Sequence, residues 1–216
     1  MTKNAAGVRT RMHVVVVGAG YAGLIATNRF LGTAVLILAL LAAAAGVMAA
    51  QRPDAEERMR RVDPLLAGPL PRLRWSLQHT TLTVISVILV LLAAGLCTGL
   101  AYALATGDPE DAGALIGAAL SYAPAALVVT ATVRLAHGMA WSASVLGWLA
   151  LGWCAVIGMF GPLLDLPDVV TGLSPFEHVA RMPGESFDAA AWALLWAVAI
   201  ALSAAGQLRL SHRDLR

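Results

Sequence analysis

The sequence predicts an all-α, polytopic membrane helix bundle, and three observations carry that prediction. Hydrophobic residues make up 59% of the 216 residues and charged residues only 13%, whereas a soluble domain is near half apolar and about a quarter charged. Mean hydropathy is +0.74. The Lys and Arg residues gather in short clusters separated by long uncharged runs, a pattern imposed on a chain that crosses a bilayer repeatedly.

Five runs reach the about 20 apolar residues that a helical crossing needs: 33–50, 77–105, 113–133, 139–160 and 189–208, none containing Asp, Glu, Lys or Arg. The second is long for one crossing, so it tilts or projects beyond the bilayer. Alanine and glycine occur in all five runs and serine in four, and such small residues let helices approach closely. The bundle reads as five spans, with a possible sixth short apolar helix ahead of them.

That extra element is residues 14–23, "VVVVGAGYAG". Gly18, Gly20 and Gly23 stand at the spacing with which a strand turns into a helix whose N-terminus holds a pyrophosphate. A dinucleotide site also needs a second strand ending in an acid about 20 residues further on. Here an uncharged run follows, and the next acid is Asp54. FAD or NAD binding at these glycines is therefore not expected, and the segment reads equally as an apolar helix leading into the first span. The basic start of the chain lacks a cleavage site ahead of a soluble domain, so it does not read as a secretory signal.

The connecting segments set the orientation. Residues 51–74 carry Arg52, Arg58, Arg60, Arg61, Arg72 and Arg74; the turn expected at 134–138 holds Arg134 and His137; the tail holds Arg209, Arg213 and Arg216. Excess Lys and Arg marks cytoplasmic segments, so these three, the C-terminus included, are placed on the cytoplasmic side of the cell membrane. The alternate loops carry Asp108, Glu110 and Asp111, and then Asp165, Asp168, Glu177, Glu185 and Asp188; they fall outside.

Two loops stand out. In "QRPDAEERMRRVDPLLAGPLPRLRW", Pro53 and Asp54 make a helix start with acids in the first turn, and Glu56–Arg60 and Glu57–Arg61 are i,i+4 pairs of the favourable order. Leu65, Leu66, Leu70 and Leu73 then lie beside basic residues, which suits either an amphipathic segment on the membrane surface or a docking element for a cytoplasmic partner. In "GPLLDLPDVVTGLSPFEHVARMPGESFD", Pro162, Pro167, Pro175 and Pro183 forbid one continuous helix. Short helices folded on the outer face and dipping part-way in fit that stretch, provided protein covers their backbone.

Catalytic classes find little support. Cys97 and Cys154 have no CxxC partner or adjacent His and read as small buried hydrophobes. No metal site, catalytic triad or carboxylate pair is spaced along the spans. The Arg-rich loop is short and balanced by acids, unlike a nucleic-acid surface. Trp141, Trp148, Trp153, Trp192 and Trp196 read as packing residues or interfacial anchors.

Two resemblances add to this reading. "MHVVVVGAGYAGLIATNRFLG" resembles the opening of a FAD-dependent, NADH-dehydrogenase-like oxidoreductase over residues 12–32 and then stops, so residues 1–32 form a truncated leader rather than a complete domain. Residues 33–216 resemble the C-terminal half of the actinobacterial type-2 ABC exporter permeases, described as exporters of polyketide antibiotics or tetronasin-resistance proteins. "AEERMRRVDPLLAGPLPRLRW", "FGPLLDLPDVVTGLSPFEHVARMPG" and "SHRDLR" carry that likeness. It implies a permease that is not itself an enzyme, working by alternating access with a separate ATPase subunit, and this chain carries no GxxxxGK[ST] phosphate loop. It further implies that Glu56, Glu57, Arg60, Arg61, Leu65 and Leu66 couple to that ATPase, and that Asp165, Ser174, Phe176, Glu177 and His178 serve an extracellular gate. His178 reads more readily as a solvated loop histidine than as a ligand. Since such permeases have two tandem halves, the path implies a second half or another copy of this chain.

Overall fold

A computed structural model describes residues 3–52, 72–107, 110–138, 143–182 and 184–211. All regular structure among them is helical: α1 (Lys3–Ala50), α2 (Arg72–Thr106), α3 (Glu110–Ser121), α4 (Ala123–Gly138), α5 (Ala143–Leu164), α6 (Asp168–Thr171), a single 3-10 turn (Pro175–His178) and α7 (Ala189–Ser211).

Four stretches are long and apolar enough to cross a membrane: Ile25–Ala50, Leu77–Thr106, Ala112–His137 and Ala189–Arg209. The apolar part of α5, Val145–Gly161, is shorter; at about 1.5 Å per residue it falls a few ångströms under a hydrocarbon core of about 30 Å. The fold is thus a helix bundle suited to a membrane.

Residues 14–23 are not a strand and turn. They lie within α1, which runs unbroken past residue 32 into the first long apolar stretch. Gly18 and Gly20 are inside this helix, and Thr27 Oγ1 donates to the Gly23 carbonyl 3.0 Å away. Inside a helix each N–H is engaged by the carbonyl four residues earlier, so these glycines do not present the free N–H cradle that a pyrophosphate needs.

Gly107 closes α2 in the left-handed region (φ +76°), its N–H donating to the Ala103 carbonyl at 2.8 Å. That is a glycine-terminated helix end, and it sends the chain back so that α3 packs against α2. The run 113–133 is not one helix. Pro124 has no N–H to continue the ladder, and the chain turns at Tyr122 between α3 and α4. The turn keeps two backbone bonds, Tyr122 N to Ala119 O at 3.3 Å and Ala126 N to Tyr122 O at 3.0 Å.

The α1 stretch and the α3–α4 pair form the centre, with 56% and 61% of their apolar windows buried, against 22% for α2 and 17% for α7. Leu36 of α1 lies beside Gly158 of α5, Gly46 sits between Val87 of α2 and Thr130 of α4, and Gly206 of α7 faces the backbone of Arg134 and Leu135. Leu82, Leu89, Leu96, Leu100 and Leu104 of α2 are exposed, the stripe that a helix facing lipid or another membrane chain presents. Cys154 is buried as expected, but Cys97 is exposed on α2.

Asp188 starts α7: its Oδ1 accepts from the N–H groups of Ala190 at 2.9 Å and Ala191 at 3.1 Å. Asp188→Ala removes the acceptor for two helix-end donors and is expected to cost about 1 kcal/mol. Thermal unfolding in detergent measures this; Asp188→Asn, which keeps the cap oxygen, is expected to lose less.

Candidate functional site

The stretch 165–188 carries the site. Asp165 ends α5 in a left-handed conformation (φ +46°) and is exposed. Pro167 then opens the one-turn α6, and the Gly172 N–H closes it on the Asp168 carbonyl at 2.8 Å. The chain next turns inward. Ser174 is fully buried and Phe176 is 1% exposed, both carried by the 3-10 turn that Pro175 initiates. That turn packs on α4, α5 and α7.

The Phe176 ring stacks on Tyr122, centroids 6.0 Å apart and planes 27° from parallel, and Tyr122 is itself 1% exposed. The loop therefore plugs the bundle where the α3–α4 helix is broken. Burying such a ring contributes about 2–3 kcal/mol, and the aromatic pairing adds about 1 kcal/mol. Opposing this, Tyr122 Oη is buried without a hydrogen-bond partner, and the buried Ser174 Oγ has only the Cys154 thiol beside it, a weak partner. Each unsatisfied hydroxyl costs about 1–3 kcal/mol, so the seated plug is held by its ring and opposed by its hydroxyls.

A polar strap follows. Arg181 Nη2 donates to Glu177 Oε1 at 2.8 Å, and the Arg181 backbone N–H donates to Glu185 Oε2 at 2.8 Å. The ion pair is partly exposed, so it orders the loop more than it stabilises the protein. His178 Nε2 lies 2.8 Å from the Gly172 carbonyl; a carbonyl only accepts, so Nε2 carries the proton and ties the turn back to α6.

Two open cavities flank the strap. One, about 530 Å³, lies between Asn28, Arg29 and Thr33 of α1 and Arg181 and Glu185 of the loop. The other, about 580 Å³, lies between Gly117 and Ser121 of α3 and Met182, Phe187 and Trp192. A ladder of rings borders it, Phe187–Trp192 at 6.0 Å and Trp192–Trp196 at 5.8 Å.

Of the residues expected at an outer gate, Ser174 and Phe176 come together in the plug, Glu177 stands in the strap, His178 is a tie within the loop, and Asp165 stands apart at the end of α5. Tyr122 and Arg181 complete the arrangement. Tyr122 was not expected; Pro124, two residues on, was the sequence signal for a break there. The six residues expected to couple to an ATPase, Glu56, Glu57, Arg60, Arg61, Leu65 and Leu66, lie outside the described residues.

Two comparisons with known proteins bear on this arrangement. A family model described as "Multidrug efflux system permease Rv1217c, C-terminal domain" matches residues 6–210, so the match includes the stretch 12–32 as well as the bundle. The multidrug efflux system permease protein Rv1217c of Mycobacterium tuberculosis is 30% identical over 190 residues, which is 87% of this chain and 34% of that relative. The chain spans about a third of the relative's length.

Proposed function

The chain belongs to the family of the multidrug efflux system permease C-terminal domain, and from that premise we propose that it is a transmembrane subunit of an ATP-driven exporter of hydrophobic small molecules, polyketide antibiotics among them. The family match across residues 6–210 carries this reading. The helical bundle with four membrane-length apolar stretches supports it.

In this reading a separate ATPase subunit binds and hydrolyses ATP. The Arg-rich segment around 55–75 and the C-terminal tail lie in the cytoplasm, following the charge asymmetry of the loops, and the 165–188 loop lies outside. Glu56, Glu57, Arg60, Arg61, Leu65 and Leu66 seat against the ATPase. Closure of the ATPase pair pulls on that segment and reorients the bundle, and the difference in substrate affinity between inward and outward states sets the direction. The Phe176–Tyr122 plug is the outer gate: its buried ring holds it shut and its poorly satisfied hydroxyls oppose the ring, so the closed state is favoured by only a few kcal/mol that an ATPase-driven pull supplies. A second permease half, or another copy of this chain, supplies the rest of the path. The function draws on no flavin at Gly18, Gly20 or Gly23.

The test is co-purification in detergent of the chain with a co-expressed ABC-type ATPase subunit from the same organism. Wild type is expected to retain the ATPase, and Glu57→Arg combined with Leu66→Asp is expected to lose it about tenfold or more, since the double change reverses a charge and places a carboxylate in an apolar contact. A folded wild-type chain that never retains the ATPase sinks the exporter reading.

A further inference from the structure

A third cavity, about 270 Å³, lies between α2, α4 and α7. Arg134, Trp196, Thr80, Thr83, Thr130, Ser203 and Gln207 supply its polar lining, and the remainder is aliphatic. Arg134 does not lie in a turn, as its place at the end of an uncharged run suggests; α4 continues to Gly138 and holds Arg134 against this cavity. Arg134 stands three residues from the end of the apolar stretch Ala112–His137, where an arginine keeps its charge at the membrane surface or against a polar interior.

The hydrogen-bonding partners decide what would fit. Thr83 Oγ1 donates to the His79 carbonyl at 2.8 Å, and Thr130 Oγ1 donates to the Leu127 carbonyl at 2.9 Å. Gln207 Nε2 donates to Thr80 Oγ1 at 3.2 Å. Those donors are therefore committed within the protein. Three kinds remain on the lining: the guanidinium of Arg134, whose five N–H groups allow it to hold a further acceptor beside the interactions it already makes, the buried indole N–H of Trp196, which has no acceptor, and the Ser203 hydroxyl, which can donate or accept. A lining with spare donors and a cation takes a ligand that brings acceptors and negative charge.

Shape narrows the class. Trp196 and Gln207 are separated along α7 by about 16 Å at 1.5 Å per residue, and Arg134 is packed near the Gln207 end, where Gly206 meets its backbone. The cavity is thus long, basic at one end and apolar along its length. Its volume is just under the about 300–1,000 Å³ of sites for drug-sized molecules, which suits one narrow chain. Leu77 and Ile200, both on the lining, are also exposed, so the groove opens sideways between α2 and α7, toward lipid.

We propose that this groove is a binding site for a single-chain anionic amphiphile, its carboxylate or phosphate head on Arg134 and its apolar chain running toward Trp196. The site stands whether or not the bundle exports anything, so it is tested by binding alone. The same chemistry is offered by the chain of an anionic phospholipid and by a free acidic amphiphile.

The experiment uses the full chain in neutral detergent and two probes, terminally brominated undecanoate and the matching brominated undecanol, with tryptophan quenching as the readout. The acid is expected to quench saturably and to bind at least about tenfold tighter than the alcohol, because only the acid forms a charge-assisted bond with Arg134. Trp196→Phe is expected to abolish most of that quenching, since the bromine reaches that ring. Arg134→Gln is expected to bring the acid's affinity down to the alcohol's, with Arg134→Lys in between. Mass spectrometry of the purified protein separates the sources: an anionic phospholipid displaced by the acid names the lipid, and acid binding without displaced lipid names a free amphiphile. Equal binding of acid and alcohol by wild type overturns the proposal without reference to whether any variant folds, as does quenching by the acid that Trp196→Phe leaves intact.

Discussion

Replacing Gly95 and Gly99 together by leucine is expected to separate α2 from α3 and to leave most of the protein unfolded or aggregated in detergent. A Cβ at Gly95 would lie 2.9 Å from the Ile116 Cα and one at Gly99 would lie 2.8 Å from the Ala112 carbonyl oxygen. Both obstacles are backbone atoms, so no side chain can swing aside and the helices themselves must part. The two glycines are four residues apart on one face, the spacing by which helices in lipid come close enough for dispersion to hold them. Overpacking costs about 1–3 kcal/mol per site when side chains can adjust, and more against backbone. The double change is therefore worth about 4 kcal/mol or more, against a total stability of about 5–15 kcal/mol. Thermal unfolding followed by size-exclusion elution measures it. Gly113 and Gly117 on the partner helix serve as the control, since a Cβ at either meets nothing within 4 Å. If Gly95→Leu with Gly99→Leu melts as the Gly113→Leu with Gly117→Leu control does, the close α2–α3 packing is wrong.

What was legible in the sequence follows from which physical signals are local. Long uncharged runs announce helices that exclude water, and the C-terminal part of α1, most of α2 and most of α7 coincide with such runs. Hydropathy alone, however, does not mark where a helix ends. Arg134 ends an uncharged run and invites a turn, yet a guanidinium is compatible with a helix interior, and α4 continues to Gly138. The reverse holds at Tyr122, where the run is unbroken but Pro124 removes an N–H; attention to backbone donors rather than polarity finds that break. At Val14–Val17 the β-branched residues and following glycines suggest a strand and turn, but the preference is weak. A segment without a neighbouring strand satisfies its backbone most simply as a helix, and α1 is that helix. Ser174 and Phe176, seated at the break in the bundle, are singled out by family likeness and by no local pattern. Their partner Tyr122 lies far away along the chain, and no local pattern encodes a contact of that separation.

Phe176→Ala is expected to unseat the plug and expose Cys154. The ring removed is 1% exposed and stacked on Tyr122, so its loss forfeits about 3–5 kcal/mol where the surroundings cannot collapse. The 3-10 turn is four residues long and flanked by extended residues at Ser174 and Val179; the cost falls on this loop first, since no long helix holds the turn in place. The loop keeps its strap and the His178 tie, neither of which is buried deeply enough to replace the ring. The native chain supplies the probe, since Cys154 is buried beside Ser174 whereas Cys97 is exposed. In a Cys97→Ser background, a membrane-impermeant maleimide is expected to leave Cys154 unmodified in the otherwise native protein. Phe176→Ala is expected to raise its rate of modification by about a hundredfold, as a local opening made cheaper by about 3 kcal/mol would do. Phe176→Leu, which keeps most of the apolar volume, is expected to give a much smaller increase. A Cys154 that stays equally unreactive in folded Phe176→Ala would mean that Phe176 is not what closes the bundle at Tyr122. A Cys154 already reactive in the native background would mean that the plug is open without any pull. Only the expected order, native slowest, Phe176→Leu next and Phe176→Ala fastest, fits a plug whose closed state is held by one buried ring against two poorly satisfied hydroxyls.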